Sequence, residues 1–438
     1  MHFEFRTAGE SHGRGLLCLI EGMPAGVPLV AARDIDPDLR RRQGGYGRGD
    51  RMKIEQDRAE IIAGIRLGET LGSPIGLAIW NRDWENWLVA MAHEPQDADD
   101  ETLRRVHLPR PGHADLVGVL KYDRDDARDI LERASARETT ARVAAGALAK
   151  RLLAEFGISI GSHIVMLGGI EARPPEILPD DLNSAADASP LRTLDKEAEA
   201  RMVEAIDEAK AHGDTLGGTF EVVARGLPVG LGSHISWDRK LDGRLAGALM
   251  SIQAMKGVEI GLGFEAARRP GSAVHDEIEA VHEIEAVRDE IEAMAPSAAR
   301  RIEDPPIRAS ASKSGRTGGF RRTSNNAGGL EGGITTGAPL VARVAMKPLS
   351  SLMKPLRSVD LRTGGRADAV RERSDVVALA AAGVVGEAMV AIVLADAMLE
   401  KFGADSLGEM RRNFEGYLQQ LERRRIALAN AAARTTSD

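Results

Sequence analysis

The most apolar part of the chain is an alanine-rich run at about 377–399, in which Glu387 and Asp396 are the charged residues. Its length and composition predict a buried helix, and the two carboxylates argue against a membrane span. Burying a helix of this length requires a large core. A chain of 438 residues can supply one.

Helical and strand patterns alternate along the rest of the chain, and no segment has the composition of a domain linker. Strands are predicted at 15–22, at 158–170 and in GGTFEVVARGLPVG, and a Pro/Asp/Ser-rich loop at 171–195. Apolar spacing predicts helices at 125–156 (one helix, or two broken near Ser135), at about 195–212, 241–255, 374–402 and 405–431. The alternation indicates one large α/β or α+β domain.

Composition argues against several classes of function. The formal net charge of −8 argues against non-specific DNA binding, and the 3% of aromatic residues argues against a single-stranded nucleic-acid platform. Cys18 is the only cysteine, which excludes an intramolecular disulfide and a Cys-rich zinc site. The stretch MHFEFRTAGE has no apolar core of signal-peptide length. We therefore expect a cytoplasmic protein without a membrane or nucleic-acid partner.

An acidic quasi-repeat, HDEIEAV-HEIEAV-RDEIEAM, occupies residues 275–294. Apolar side chains recur every three or four residues from Ile278 to Met294, which predicts a helix with one packed stripe and an acidic face in solvent. A metal site at His275 and His282, beside acidic neighbours, is the alternative. Metal sites need a convergent geometry that spacing alone does not show.

Positive charge is concentrated in the stretch 40-RRRQGGYGRGDRM-52, which contains Arg40, Arg41, Arg42, Arg48 and Arg51. Guanidinium groups bind phosphate and carboxylate through paired hydrogen bonds, and the glycines allow the chain to bend sharply. The stretch predicts an anion site, with a solvated basic patch as the alternative. An RGG-like RNA contact fits poorly, because there is one copy and little aromatic support.

Two histidines occupy similar turns, each with an arginine nearby. His12 lies in 8-AGESHGRG-15 with Arg14, and His113 lies in 109-PRPGHADL-116 with Arg110. Turns on a rigid scaffold often carry catalytic groups, and histidine can transfer a proton near neutral pH. We interpret both as candidate acid–base groups, with a structural role as the alternative for each.

Loops of small residues at 324–337 and 346–351 could hold a phosphate or a polar ring edge through main-chain N–H groups. The stretch GGYGRG lacks the spacing of a dinucleotide-binding fingerprint, and the sequence contains no P-loop.

Ser374 and Asp375 precede a predicted helix. There, Asp375 would act as an N-cap.

Taken together, these stretches resemble the chorismate synthase family. The resemblance rests on AGESHGRG, GYGRG followed by RM, RPGHADL with KY, ERASARET, DTLGG, IQAMKGVEIG, NNAGGLEGG, MKPLSS, and RSDV with AAGVVGEAM. These motifs run in the family order from about residue 5 to residue 405. The resemblance implies one β-α-β sandwich domain over residues 1–438, with an internal duplication, assembled as a homotetramer.

The resemblance also implies a carbon–oxygen lyase acting on phosphates. The family reaction is a 1,4-anti elimination in which 5-enolpyruvylshikimate 3-phosphate loses phosphate from C3 and a hydrogen from C6, giving chorismate. Reduced FMN is required without net redox change, and transient electron donation from the flavin would help to expel phosphate. Some members reduce their flavin with NADPH and others use an outside source, and the sequence leaves this choice open. No metal is implied.

The substrate carries one phosphate and two carboxylates, so the family site needs several convergent guanidinium groups. His12 would protonate the leaving phosphate, His113 would lie near flavin N1, and Asp375 near flavin N5. The implied substrate ligands are Ser11, Arg42, Arg48, Arg51, Arg110, Arg137 and Arg373. The implied flavin contacts are Ser135, Ala136, Arg137, Gln253, Ala254, Gly332, Lys347, Pro348, Leu349, Ser350, Ser351 and Arg373.

The sequence departs from the family pattern in places. Thr335-Thr336-Gly337 stands where Thr-Asn-Gly is usual, and Val-Ala-Leu-Ala follows RSDV in place of a stretch with Cys and Pro. The segment at about 275–323 is longer than the usual family loop and includes a basic stretch, 308–324, which we predict to be mobile.

Two other functions remain open from the sequence. A non-catalytic polyanion-binding protein would need no flavin and would tolerate changes at His113 and Asp375. A flavin oxidoreductase would consume reductant with each product.

Overall fold

The computed structural model of the chain describes residues 2–49, 56–280, 316–372, 374–403 and 405–435. In these ranges the strands are β1 Glu4–Ala8, β2 Gly15–Glu21, β3 Glu60–Ala63, β4 Ile65–Arg66, β5 Glu69–Thr70, β6 Ile75–Trp80, β7 Ser159–Leu167, β8 Ile170–Glu171, β9 Gly218–Arg225, β10 Met255–Ile260, β11 Ile278–Ala280, β12 Phe320–Arg322, β13 Leu330–Glu331, β14 Ile334–Thr335, β15 Leu340–Met346, β16 Arg357–Val359 and β17 Arg366–Asp368. The helices are α1 Ala31–Asp34, α2 Asp36–Gln43, α3 Asp115–Tyr122, α4 Arg128–Ala134, α5 Thr139–Ala154, α6 Leu182–Asp187, α7 Lys196–His212, α8 Leu241–Met250, α9 Leu379–Phe402 and α10 Leu407–Thr435. The content of helix and strand is mixed, as the alternating patterns predicted.

Two antiparallel sheets form the framework. One has the strand order β1-β2-β6-β3, and the other has the order β10-β15-β9-β7-β8. In β2, buried Leu16, Cys18 and Ile20 alternate with exposed Leu17 and Leu19, because successive side chains of a strand point to opposite faces. One face of this sheet therefore packs into the core.

Helices α5 and α9 provide the packing partners of the two sheets. Helix α5 packs against β2 of the four-stranded sheet, and α9 packs against β7 and β9 of the five-stranded sheet. The two helices also pack against each other. Each sheet thus buries its inner face against a helix, and the helix pair joins the two halves of the core.

Helix α9 confirms the prediction of a buried helix at 377–399. Its length and composition would suit a membrane span, but 94% of its most apolar window is buried inside the protein. Glu387 within it is fully buried, and its carboxylate is bound by Arg41 at 2.8 Å, Lys150 at 2.6 Å and Arg192 at 3.0 Å. A carboxylate can be buried at this depth because charged partners surround it.

The helical pattern at 125–156 is broken at Ser135, which confirms the two-helix alternative. Ser135 has extended backbone angles (φ −61°, ψ 143°) between the end of α4 and a 3₁₀ turn at Ala136–Glu138. Its side chain accepts a hydrogen bond from the main-chain N–H of Arg137 at 3.2 Å. The break turns the chain sharply and exposes residues 135–137 to the cleft described below.

Five predicted elements need correction. The helix predicted from residue 374 begins at Leu379, the helix at 241–255 ends at Met250, and the loop at 171–195 contains α6. The helix predicted at 275–294 is wrong where its residues are described, because Ile278–Ala280 is a strand paired with Phe320–Arg322 and Ile278 is 61% exposed. This pairing also corrects part of the mobile loop predicted at 308–324. Residues 281–315, including His282, lie outside the described residues.

Candidate active site

A cleft of about 1140 Å³ opens where turns from distant parts of the chain meet. Turns at 11–12, 45–49, 110–114, 134–137, 252–255, 346–351 and 374–378 contribute to it, and α9 supplies part of its apolar wall. Its size is that of a site for one or two small ligands. The cleft is therefore the candidate active site.

Most of the predicted site residues line this cleft. They are Ser11, His12, Arg42, Arg48, Arg110, His113, Ser135, Ala136, Arg137, Gln253, Ala254, Lys347, Leu349, Ser350, Ser351 and Asp375. Gly332 lies instead in the β13–β14 turn, near His234, and Pro348 lies against Gly217. Arg51 and Arg373 lie outside the described residues.

His12 is held by a buried carboxylate from α4. Glu132 Oε1 lies 2.8 Å from His12 Nδ1, and Glu132 Oε2 accepts the main-chain N–H of His12 at 2.7 Å. Arg128 donates to Glu132 Oε1 at 3.1 Å. Burial raises the pKa of Glu132, but its hydrogen bonds with His12 and the charges of His12 and Arg128 outweigh this effect and lower the pKa overall. Glu132 is therefore an anion that faces His12.

His113 has a similar arrangement with a nearer neighbour in sequence. Asp115 is fully buried at the start of α3, and its Oδ1 lies 2.5 Å from His113 Nδ1. Arg110 donates to the same carboxylate from Nε at 2.8 Å and to Ser351 Oγ at 2.7 Å. Burial opposes ionisation of Asp115, but the hydrogen bonds from His113 and Arg110 hold its pKa well below its usual range.

Arg137 and Arg42 both line the cleft and both lie beside the buried carboxylate of Asp57. Arg137 donates to Asn81 Oδ1 at 2.8 and 2.9 Å and to Asp57 Oδ1 at 2.6 Å. Arg42 donates to Thr139 Oγ1 at 3.0 Å, while its Nη1 is buried without a hydrogen-bond partner among the described residues. Burial lowers the pKa of Arg42 to about 9. Nη1 lies 3.6 Å from Asp57 Oδ2, so an anion in the cleft would give it a hydrogen-bond acceptor in addition to this ion pair.

Arg48 and Asp375 form an ion pair across the cleft rim. Arg48 Nη1 lies 3.1 Å from Asp375 Oδ2, and the main-chain N–H of Gly49 donates to Asp375 Oδ1 at 2.6 Å. The interpretation of Asp375 as a helix N-cap is wrong, since α9 begins at Leu379 and Ala378 occupies the cap position. Asp375 instead ties the glycine-rich turn at 45–49 to the cleft.

Comparison with known proteins accounts for this combination of groups. A sequence model of the family described as chorismate synthase matches residues 3–399. The chain is 54% identical to the chorismate synthase of Geobacter sulfurreducens, and the match covers 95% of this chain and 98% of that protein. It is 51% identical to the chorismate synthase of Aquifex aeolicus, and that match covers 96% of this chain and 98% of the Aquifex protein. A solved structure titled "Crystal Structure of Chorismate Synthase" is 43% identical, with a TM-score of 0.71 over 96% of this chain and 98% of that chain.

The chain belongs to the chorismate synthase family. Chorismate synthases are lyases of aromatic amino-acid biosynthesis. The chain accordingly catalyses the elimination of phosphate from 5-enolpyruvylshikimate 3-phosphate that yields chorismate. The family uses reduced flavin, so the residues that line the cleft can be compared with the groups that a flavin ring needs.

One wall of the chorismate synthase cleft has the chemistry that a flavin ring needs. Ile252, Met255 and Leu349 give it apolar surface. Gln253 Oε1 is buried and has no hydrogen-bond partner among the described residues, so it is available to an N–H group of a ligand. Ala254 adopts the left-handed conformation (φ +69°), which L-residues seldom adopt unless the surroundings impose it. The residues present fit the flavin that the family uses.

Sequence reasoning missed the partners that organise the chorismate synthase site. Glu132 and Asp115 hold the two histidines, while Asp57 and Asn81 hold Arg137, and Trp87 packs on His12. Glu132 and Asp115 stand inside motifs that carried the resemblance, ERASARET and RPGHADL. The acids in these motifs could therefore have been recognised from the sequence as candidate partners of the histidines. Asp57, Asn81 and Trp87 lie outside the motifs, so no comparable indication for them exists in the sequence.

Proposed function

We propose that this cleft holds 5-enolpyruvylshikimate 3-phosphate and reduced FMN together, and that His12, His113 and Asp375 serve the elimination. The observation that carries the proposal is that His12 and His113, each held by a buried carboxylate, line one cleft with Arg42, Arg48 and Arg110. Groups that transfer protons and groups that bind anions are therefore near the same ligand volume.

The arginines are proposed to bind the three anionic groups of the substrate. Arg42 is the strongest candidate, because it is buried and its Nη1, although 3.6 Å from Asp57 Oδ2, makes no hydrogen bond to the described residues. Arg48 pairs with Asp375 and Arg110 pairs with Asp115, and Ser11 lines the same cleft. Arg137 is bound to Asn81 and Asp57, so its contribution is to hold the cleft wall as much as to bind the anion. Arg51 and Arg373 remain predictions from the family.

The reaction breaks the C3–O bond and the C6–H bond, and forms a double bond without net oxidation. His12 is proposed to give a proton to the departing phosphate, because an anionic leaving group leaves more easily when protonated. Asp375 is proposed to accept a proton on the flavin side of the cleft, near N5. His113, fixed by Asp115, is proposed to donate a hydrogen bond near N1. Bound reduced FMN would supply the transient electron donation that helps to expel phosphate.

The flavin would lie along the wall formed by Ser135–Arg137, Gln253, Ala254, Lys347 and residues 349–351. The support is the buried acceptor of Gln253 and the apolar surface beside it. Lys347 donates to Gly112 O at 2.7 Å, which joins this wall to the turn that carries His113. Gly332 and Pro348 remain family-based predictions, since neither lines the cleft of this chain.

Family resemblance also supports the wider description. The chain is proposed to be one β-α-β sandwich domain over residues 1–438, with an internal duplication and an insertion at about 275–323. The packing of α5 and α9 against the two sheets agrees with such a sandwich. A homotetramer in the cytoplasm, without membrane or nucleic-acid partners, completes the proposal, and the choice between NADPH and an outside source as the reductant of the flavin stays open.

The deciding experiment measures chorismate formed against reduced FMN consumed, without oxygen. Product should form only with reduced FMN and over many turnovers per flavin, since substrate and product differ by phosphate and one proton. A deaza-flavin lacking N5 should fail. Asp375→Ala should slow turnover while the flavin stays bound.

One flavin oxidised per product would favour the oxidoreductase function instead. Full activity with oxidised FMN and no reductant would refute the proposed role of the flavin. Retention of anion binding without turnover under all flavin conditions would favour a polyanion-binding protein.

A further inference from the structure

His12 is enclosed by two residues to which neither the motifs nor the resemblance assigns a role. We propose that Glu132 and Trp87 are positioning residues, which together fix the tautomer and the ring plane of His12. The proposal rests on the proposed role of His12 as the proton donor to the leaving phosphate. Its structural basis is a carboxylate at hydrogen-bond distance from Nδ1 of the imidazole and an indole stacked on the ring face.

Glu132 determines that the His12 ring nitrogen facing it, Nδ1, carries a proton. Its carboxylate accepts the main-chain N–H of His12 through Oε2 and lies 2.8 Å from Nδ1 through Oε1. An anionic carboxylate has no proton to donate, so this contact requires the proton to be on Nδ1. In the imidazolium form both nitrogens carry a proton, and Nε2 is the one that gives its proton to a phosphate oxygen, leaving the neutral ring with Nδ1–H still bonded to Glu132.

Trp87 determines the orientation of the ring plane. Its ring stacks on His12 with 3.8 Å between centroids and an interplanar angle of 23°. The guanidinium of Arg104 lies 3.9 Å from the centroid of the same indole, which places it on the opposite face. Trp87 Nε1 donates to buried Asp83 at 3.0 Å. The indole is thus held from its edge and from its far face, and it can hold the imidazole in turn.

The two contacts act on different degrees of freedom. The hydrogen bonds to Glu132 hold the main-chain N–H and the Nδ1 edge of His12, and the stack with Trp87 limits tilting of the ring. Arg128 bridges Glu132 and Glu372, so replacement of Glu132 by an uncharged residue still leaves this buried cation with one carboxylate. The Glu132→Gln protein is therefore expected to fold.

Glu132→Gln tests the tautomer directly. A side-chain amide has one oxygen that accepts and one NH2 group that donates, so it can hold Nδ1 in either form, by accepting from Nδ1–H or by donating to a bare Nδ1. In protein labelled with ¹⁵N-histidine, the His12 signals, identified by their loss in His12→Gln, should show a proton on Nδ1 in the parent. The variant should show a fraction of the ring with Nδ1 bare and the proton on Nε2. Turnover should fall by about 10²-fold while KM changes less than about threefold.

Trp87→Leu tests the stack and does not depend on the Glu132 variant. It should lower kcat by about three- to tenfold, the range of an aromatic pair, and Trp87→Phe should restore most of the loss because a ring is present again. Trp80→Leu is the matched control. Trp80 is 45% exposed on β6 and does not line the cleft, so this variant should keep parental kcat.

Unchanged nitrogen shifts in Glu132→Gln would overturn the role of Glu132, even if kcat fell, because a residue that only supports the fold behaves in that way. Equal kcat in Trp87→Leu and Trp87→Phe would overturn the role of Trp87. Full activity of His12→Ala would instead be a failure of the proposed function. In that case the nitrogen shifts would still decide whether Glu132 sets the tautomer of His12.

Discussion

Gly146, in the middle of α5, allows α5 and α9 to approach closely at the centre of the protein. A Cβ atom added there would lie 2.3 Å from Ala388 Cβ and 2.5 Å from Ala388 Cα. Ordinary carbon contacts are about 3.5–4.0 Å, so Gly146→Ala requires the helices to separate by more than ~1 Å. No rotamer change can relieve the contact, because the atoms involved lie on or next to the backbone. We expect the overpacking to cost about 1–3 kcal/mol, and to exceed the ~1 kcal/mol that alanine adds in a helix interior.

The assay is the midpoint of urea unfolding, followed by circular dichroism, with Gly247→Ala as the matched control. Gly247 lies inside α8, and an added Cβ there has no atom within 4 Å. Gly247→Ala should therefore stabilise the protein by about 0.5–1 kcal/mol, while Gly146→Ala lowers the free energy of unfolding. If the two variants were equally stable, the close approach of α5 and α9 would be refuted.

Three further predictions follow from the cleft and from the sheet behind it. Arg48→Ala should weaken substrate binding by about 1.5–3 kcal/mol with the fold unchanged, and parental affinity in equilibrium binding would reject Arg48 as a ligand. His12→Ala and His113→Ala should each lose about 10²–10⁴ in turnover while still binding flavin and substrate, and a parental rate would return that histidine to a structural role. Burial raises the pKa of Glu221, but contacts with His163 and an arginine lower it to about 2, below the unfolded value of 4.5. Its stabilisation should be complete above pH 4.5 and lost as pH falls toward 2, and an acid-unfolding curve that Glu221→Gln does not flatten in this window would contradict the assignment.

Local pattern was enough for much of the fold. The apolar run that became α9 and the strands at 15–21 and 218–225 follow from periodicity and composition, which depend on neighbours in sequence, whereas the pattern at 125–156 allowed one helix or two and the structure decided for the break at Ser135. The motifs, taken in order, were enough for the family and its reaction. The failure at Ile278–Ala280 has a physical reason, because pairing with Phe320–Arg322 overrode a helical spacing of apolar residues.

The sequence by itself determined the class of the fold, the family, and the residue types that the reaction needs. The tertiary structure decided which partners set their chemistry. His12 and Glu132 are 120 residues apart, and Gly146 meets Ala388 from a different helix. Neither contact leaves a periodic signal in the chain, because a contact between distant residues depends on how whole elements pack. The groups that hold the proton donor of this enzyme are therefore visible only once the helices and turns have been brought together.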